Sequence, residues 1–192
     1  MKKFNPALAI QDIVSLGEFK GVNPDITDSA TFTFSKAQTM TDTFQGKTEG
    51  CYLYSRHWNP SNKSLATMLA AMEDTEAAWV TGSGMGAITA TILQLCNSGD
   101  HIVSSMTIYG GAFAFLNNYL KKFNIETTFV NITDIDAVKK AMRPNTKLIY
   151  TETLTNPLLQ VSNLPELSKI AHQYGAKLVC DNTFTPMIVT PV

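Results

Sequence analysis

The chain has 192 residues, of which 44% are hydrophobic and 16% charged, with a formal net charge of -1. Such a length and apolar content suffice to bury a core in one domain or at most two. The near-neutral balance supplies no electrostatic attraction to nucleic acid or to an anionic membrane, so neither is expected as a partner.

Cys51, Cys96 and Cys180 lie far apart with no CxxC pair, and His57, His101 and His172 are scattered. This pattern favours thiols in a reducing compartment over disulfides and offers no metal site. The opening Met-Lys-Lys-Phe-Asn-Pro is followed by Asp12 and Glu18 rather than a long apolar stretch. Neither a secretion signal nor a membrane span is expected, and the cytoplasm is the expected location.

Residues 1–60 are rich in Thr, Ser, Asn and Gly, with one short helical candidate around Leu8–Leu16 and no sustained period. So long an irregular stretch suggests an extended amino-terminal arm that wraps a neighbouring subunit. From residue 61 to 192 a regular domain is expected. Asn59-Pro60 supplies a cap and a first-turn proline for a helix bearing Leu65, Met68, Leu69 and Met72 on one face. Ala77–Thr81 is a short strand candidate. Met85, Ile88, Ile92, Leu95 and Cys96 repeat at helical spacing up to Asn97-Ser98-Gly99.

The alternation then continues. His101–Ser104 reads as a strand, and Ala112, Phe115, Leu116, Tyr119, Leu120 and Phe123 form an apolar helical stripe. Glu126–Val130 is a strand, Thr133 caps a helix with Ile135, Val138 and Met142, and Lys147–Thr151 is the next strand. Asn163 with Glu166 resembles a capping box that opens a helix with Leu167, Ile170 and Ala171 inward; Gly175 ends it, and Ala176–Cys180 is the last strand. Repeated strand–helix alternation implies an α/β fold with an open, mostly parallel sheet and helices on both faces.

Ligands of such sheets bind at the carboxyl ends of the strands. There stand Gly82-Ser83-Gly84-Met85-Gly86, Tyr109-Gly110-Gly111, Glu152 with Asn156-Pro157, and Asp181-Asn182-Thr183. Glycines at a helix start leave N–H groups and the positive helix end open to a phosphate. Yet this cluster is neither GxGxxG nor a P-loop, and alone it fits a ligand-free tight turn equally well. Asp181, after Leu178-Val179-Cys180, either caps its own backbone or pairs with a cationic heterocycle nitrogen. Tyr109, taken alone, reads as a packing residue.

In combination and in order, these motifs resemble the Cys/Met-metabolism family of pyridoxal-phosphate (PLP) enzymes. The likeness runs from about Gly46 to Pro191 through Tyr54-Ser55-Arg56, Asn59-Pro60, Ser83-Gly84-Met85-Gly86-Ala87, Tyr109-Gly110-Gly111, Asn156-Pro157 and Asp181-Asn182-Thr183-Phe184. The resemblance implies the large domain of a PLP-dependent transferase-like protein of fold type I, with pyridoxal 5'-phosphate as cofactor. It implies that Ser83, Gly84 and Met85 hold the cofactor phosphate, and that Tyr54 and Arg56 reach the phosphate in an adjacent subunit. An arginine suits that role through its bidentate fork. Tyr109 is then expected to stack on the ring and act in proton transfer, with Asn156 near the phenolic oxygen, Asp181 at the ring nitrogen, Thr183 close to the ring and Glu152 behind them.

The implied activity is γ-elimination or γ-replacement on a sulfur-containing or O-acylated amino acid. The subgroups in view are methionine γ-lyase, cystathionine γ-synthase or γ-lyase and, as an alternative, O-acetylhomoserine sulfhydrylase, in a homo-oligomer that is a dimer of dimers. Gly111 stands where methionine γ-lyases usually carry cysteine, whereas Ser83–Ile88 and Phe113–Leu116 look most like that subgroup. Trp58, Ser61 and Leu154 also depart from the usual pattern. The Schiff-base lysine of the family lies beyond the aspartate motif and has no counterpart up to Val192. The 192 residues alone are therefore expected to form no internal aldimine and to turn over no substrate. A non-catalytic role in subunit association and a Rossmann-like nucleotide-binding domain are the competing readings.

Overall fold

The computed structural model describes residues 23–185 together with Asn5, Pro6 and Ile10. The helix expected around Leu8–Leu16 falls, but for Ile10, outside the described residues. The chain divides into two compact units, one up to Val80 and one from Thr81.

The first unit carries two helices, α1 (Ala37–Phe44) and α2 (Pro60–Met72). The start of α2 is built as its sequence indicates. Asn59 Oδ1 accepts the Asn62 N–H at 2.8 Å, and Pro60 occupies the first turn, where a missing N–H costs nothing. Ser61 ties the preceding segment to that turn: its Oγ accepts the Thr27 N–H at 2.8 Å and donates to the Asp25 carbonyl at 3.0 Å. A single antiparallel bridge joins Thr31 and Tyr54. The apolar face expected on α2 is not buried, since Ala66 is its one buried residue and Leu65 is 47% exposed. The indoles of Trp58 and Trp79 stack at 4.0 Å and 13°.

The strand expected over Ala77–Thr81 does not form. A strand exists only through the ladder to a neighbour, and among the described residues no segment pairs with this one. Its apolar residues made it a plausible strand by composition alone.

The second unit is a four-stranded parallel sheet of β1 (His101–Ser105), β2 (Glu126–Val130), β3 (Thr146–Glu152) and β4 (Lys177–Asp181) in the order β2-β1-β3-β4. Alternate side chains go to opposite faces, as strand geometry requires. Ile102, Leu148 and Tyr150 enter one core with Ile92 and Cys96 of α3 (Gly84–Leu95) and its following cap, and with Ala112 of α4 (Gly110–Ala114). Val103 and Ile149 enter a second core with Val138 of α5 (Ile135–Ala141) and Leu167, Ile170 and Ala171 of α6 (Leu164–Gln173). Helices thus cover both faces, and each buried aliphatic contributes roughly 1.5–3 kcal/mol by leaving water.

Local chemistry corrects three expectations. The cap of α5 is Asp134, whose Oδ1 accepts the Ala137 N–H at 3.0 Å, while Thr133 is drawn into a turn closed on Asn131 Oδ1. The stripe after α4 buries Phe115, Leu116 and Leu120 but exposes Tyr119 and Phe123 to more than half. The reason is a π-helical turn over Phe115–Tyr119, in which the Leu120 N–H bonds to the Phe115 carbonyl, followed by a 3-10 turn over Leu120–Phe123. The extra residue rotates the later side chains off the helical period. Asn163 Oδ1 does accept the Glu166 N–H at 3.3 Å, but the Glu166 carboxylate pairs with Lys169 at 3.6 Å. Gly175 adopts the left-handed conformation, φ 68°, expected at the end of α6.

His101 is fully buried at the amino end of β1. Its Nδ1 bonds Thr146 Oγ1 and its Nε2 bonds Thr128 Oγ1, both at 2.8 Å, so one ring joins three strands at the end opposite the cleft described next.

Candidate functional site

The strand order reverses between β1 and β3: the chain leaves β1 for β2 on one side and then returns to place β3 on the other. Such a switch point parts the connecting loops and opens a crevice at the carboxyl ends of the strands. A cleft of about 440 Å³ lies there, within the range that holds a small cofactor. Ser83, Gly84, Met85, Tyr109, Asn156, Asp181 and Thr183 all line it, together with Glu152. Ile88, Leu154 and Phe184, which sequence alone does not single out as site residues, line it too. Ile88 was accessible by pattern, one helical turn after Met85.

One wall is the start of α3. Ser83 is its cap: Oγ accepts the Gly86 N–H at 3.0 Å, and Thr81 Oγ1 donates to the Ser83 carbonyl at 2.8 Å. A Cβ on Gly86 would stand 3.1 Å from Ser83 Oγ, so glycine keeps that cap open. The N–H groups of Gly84 and Met85 precede any acceptor inside the helix and have no intrahelical partner. Together with the positive helix end and the Ser83 hydroxyl they form a seat for an anion.

The opposite wall comes from β3 and β4. Glu152 and Asp181 are register partners at the two strand ends. Asp181 Oδ1 accepts the Thr183 N–H at 3.0 Å and the Thr183 hydroxyl at 2.5 Å. The backbone-capping reading of Asp181 is thereby realised on one oxygen, while Oδ2 takes no part in that turn. Burial pushes the Glu152 carboxyl above its ordinary pKa, with N–H groups of Tyr109 and Asn156 opposing and the Asp181 charge adding. Burial chiefly, and then the charges of Asp181, Glu152 and Cys180 nearby, raise the Tyr150 phenol strongly. Asn156 sits in a loop with a cis bond to Pro157, held by Thr155, whose N–H bonds the Gln160 carbonyl at 2.9 Å.

Tyr109 forms the third wall and is 47% exposed. Its ring packs where a side chain on Gly111 would be: a Cβ there would meet Tyr109 Cε1 at 2.5 Å and Met85 Sδ at 3.2 Å. The missing side chain of Gly111 therefore lets the tyrosine fold toward the start of α3.

Tyr54 and Arg56 belong to the first unit and are not among the residues lining this cleft. The Arg56 guanidinium lies 4.8 Å from the Tyr54 ring centroid, a cation–π pair with both groups exposed. Among the described residues no group of three or more His, Cys, Asp or Glu is placed to hold a metal, and no helix is long and apolar enough to cross a membrane.

These residues suit PLP. An anion seat at a helix start, a carboxylate at a strand end and a flat apolar wall between them match a molecule with a phosphate, a basic ring nitrogen and an aromatic ring. Comparison with known proteins decides the family. A model of the Cys/Met metabolism PLP-dependent enzymes matches residues 8–192. The chain belongs to that family.

It is 46% identical to a methionine gamma-lyase of Arabidopsis thaliana over 97% of this chain and 44% of that protein. It is 44% identical to a cystathionine gamma-lyase of Bacillus subtilis (strain 168) over 73% of this chain and 37% of the relative. A crystal structure described as an O-acetylhomoserine (thiol)-lyase of Campylobacter jejuni subsp. jejuni NCTC 11168, bearing N'-pyridoxyl-lysine-5'-monophosphate, superposes with a TM-score of 0.89 at 27% identity. That match covers 96% of this chain and 46% of the other. The fold is thus that of the fold type I PLP enzymes, the family's cofactor is pyridoxal 5'-phosphate, and the chain spans less than half the length of the relatives it matches.

Proposed function

We propose that the protein containing this chain is a PLP-dependent carbon–sulfur lyase or transferase that acts at Cγ of a sulfur-containing or O-acylated amino acid, most like methionine γ-lyase. The observation that carries this reading is the convergence of Ser83, Gly84, Met85, Tyr109, Asn156 and Asp181 on one cleft, in a chain 46% identical to a methionine gamma-lyase. When bound, PLP supplies the electron sink that makes the Cα–H bond of an amino acid acidic.

The chain's own residues would hold and orient that group. Ser83 Oγ and the Gly84 and Met85 N–H groups bind phosphate oxygens. Asp181 Oδ2 keeps the proton on the ring nitrogen, because a carboxylate favours the charged form of a basic neighbour. Tyr109 stacks on the ring and its Oη moves a proton at the substrate; Asn156 bonds the phenolic oxygen, and Thr183 closes the ring's flank while fixing Asp181. Leu154, Ile88 and Phe184 keep water from the ring.

Tyr54 and Arg56 reach the phosphate in a second copy, which makes residues 1–60 the contact arm of a homo-oligomer, a dimer of dimers. Both are exposed, and the solvent-exposed cation–π contact between them is weak enough to yield to such a phosphate. A cytoplasmic setting fits amino-acid substrates of this kind. The likeness to the C. jejuni thiol-lyase supports a second reading, replacement of an O-acyl group by a thiol.

One assay of the natural-length protein with PLP separates them. Release of thiol, ammonia and an α-keto acid from L-methionine or cystathionine is expected for γ-elimination. Formation of a thioether or thiol amino acid from O-acylhomoserine, without keto acid, would select replacement. Neither product, from protein that binds PLP, would remove both readings.

A further inference from the structure

The Glu152 carboxylate joins two loops that no strand ladder connects. It ends β3 and is 5% exposed. Its Oε1 accepts the N–H of Tyr109 at 2.7 Å, and its Oε2 accepts the N–H of Asn156 at 2.8 Å. The first N–H belongs to the loop after β1 and the second to the loop after β3. Each oxygen is used once, both partners are backbone, and both partner residues carry side chains that line the cleft.

The chemistry of the position favours this double acceptor over any alternative residue. Two backbone N–H groups from different loops are here met by two separate oxygens, and a carboxylate is the side chain that offers two acceptor atoms without a donor. Glutamine would turn an NH₂ group toward one N–H and leave that donor unpaired. Aspartate would keep both oxygens but fall short by one methylene, too short to span the two loops. The position is costly for an anion: burial and the neighbouring Asp181 charge both act against ionisation, and the two N–H bonds oppose them. A strand end that needed only a cap would not require a buried carboxylate set in register beside another.

We propose that Glu152 is a positioning residue that clamps the Tyr109 loop to the Asn156 loop and thereby sets the spacing of the two side chains that face the cofactor. Its consequence for the cofactor rests on the reading given above; the clamp itself does not. Tyr109 and Asn156 both line the cleft, so a change of a few tenths of an ångström in their separation alters both the stacking and the bond to the phenolic oxygen. Mispositioning of this kind is expensive for ligand geometry even when the fold is intact.

The test uses the natural-length protein and its Glu152→Gln and Glu152→Asp variants, with three readouts. Amide hydrogen exchange reads the clamp directly. In Glu152→Gln, exchange at Tyr109 or Asn156 rises about tenfold or more, while amides inside β1 and β3 keep their protection. Glu152→Asp, which keeps the charge but not the reach, shows the same rise at one or both amides, and it serves if the glutamine variant does not fold.

Added PLP reads the consequence: affinity falls about tenfold, and the induced circular dichroism of the bound cofactor, which reports the ring's surroundings, weakens in both variants. Unchanged exchange at both amides in a folded variant overturns the clamp. Raised exchange with unaltered PLP affinity and dichroism overturns its role in cofactor spacing. Wild-type protein that binds no PLP, yet whose variants show raised exchange, removes the cofactor reading and leaves the clamp standing.

Discussion

The two units of the chain are ordered by different means. From Thr81 onward, apolar residues on both faces of a parallel sheet close two cores, and Ile92, Ile102, Leu148, Ile149 and Leu167 lose all contact with water. Up to Val80, α1 buries nothing and α2 buries one alanine; order comes from caps, turns, one bridge and a stacked tryptophan pair. Polar bonds each contribute only about 1 kcal/mol net, so they fix local shape without making a cooperative core. Among the described residues, the first unit leaves Leu65, Met40 and Trp79 exposed.

The contrast is best broken by truncating one leucine in each unit. Leu167→Ala is expected to destabilise the protein by about 2–5 kcal/mol, from lost burial and the cavity left behind. Leu65→Ala, on the open face of α2, should change stability by about 0.5 kcal/mol or less. Urea unfolding followed by far-ultraviolet circular dichroism gives both values. Within these 192 residues both tryptophans, Trp58 and Trp79, lie in the first unit, so the indole fluorescence they contribute in the same titration follows that unit. Two separate midpoints are expected, with fluorescence changing at the lower denaturant concentration.

Acid sharpens the same difference. His101 in the second unit has its pKa lowered from 6.5 to about 4, by burial first and then by the Arg143 charge. A depressed histidine folds as the neutral base, so its contribution is complete above pH 6.5 and is lost as pH falls from 6.5 through 4. The loss is roughly 3 kcal/mol, given that one pKa unit corresponds to roughly 1.4 kcal/mol. His101→Asn should flatten the decline of stability between these pH values in thermal unfolding.

The smallest effect is expected at the protein surface. Arg143 and Glu126 meet at 2.6 Å, yet their side chains are 46% and 70% exposed. Glu126→Gln should cost about 0.5 kcal/mol or less, and less still in high salt.

Much of the second unit was open to reading from sequence because its signals are local. Short apolar strands, the Asn163 cap and the left-handed Gly175 each depend on residues within a few positions, as does the Asn59 cap in the first unit. What escaped depends on distant partners. Ala77–Thr81 has strand composition but no neighbour to pair with among the described residues, and Tyr119 and Phe123 leave the apolar stripe because of a π turn that no residue type announces. Asp134 took the cap from Thr133 because Asn131 had already engaged the threonine.

The candidate site follows the same rule. Ser83, Gly84, Met85, Tyr109, Asn156, Asp181 and Thr183 stand at strand ends or at a helix start, so topology alone collects them. The double bond of Glu152 to two loops joins residues 43 and 4 positions away, and only the folded chain displays it. Tyr54 and Arg56, assigned by resemblance to a second copy, lie outside what one chain's cleft can display.

On the proposed function, the carboxyl-end cleft holds PLP with its phosphate at the start of α3. The most direct measurement is the affinity of the natural-length protein for PLP against pyridoxal, which lacks the phosphate, in wild type and in Ser83→Ala. Wild type is expected to bind PLP about 100-fold or more tightly than pyridoxal, and Ser83→Ala to narrow the gap about tenfold by removing one donor and one cap. Equal affinity for the two ligands, or a gap untouched by Ser83→Ala in folded protein, would contradict it.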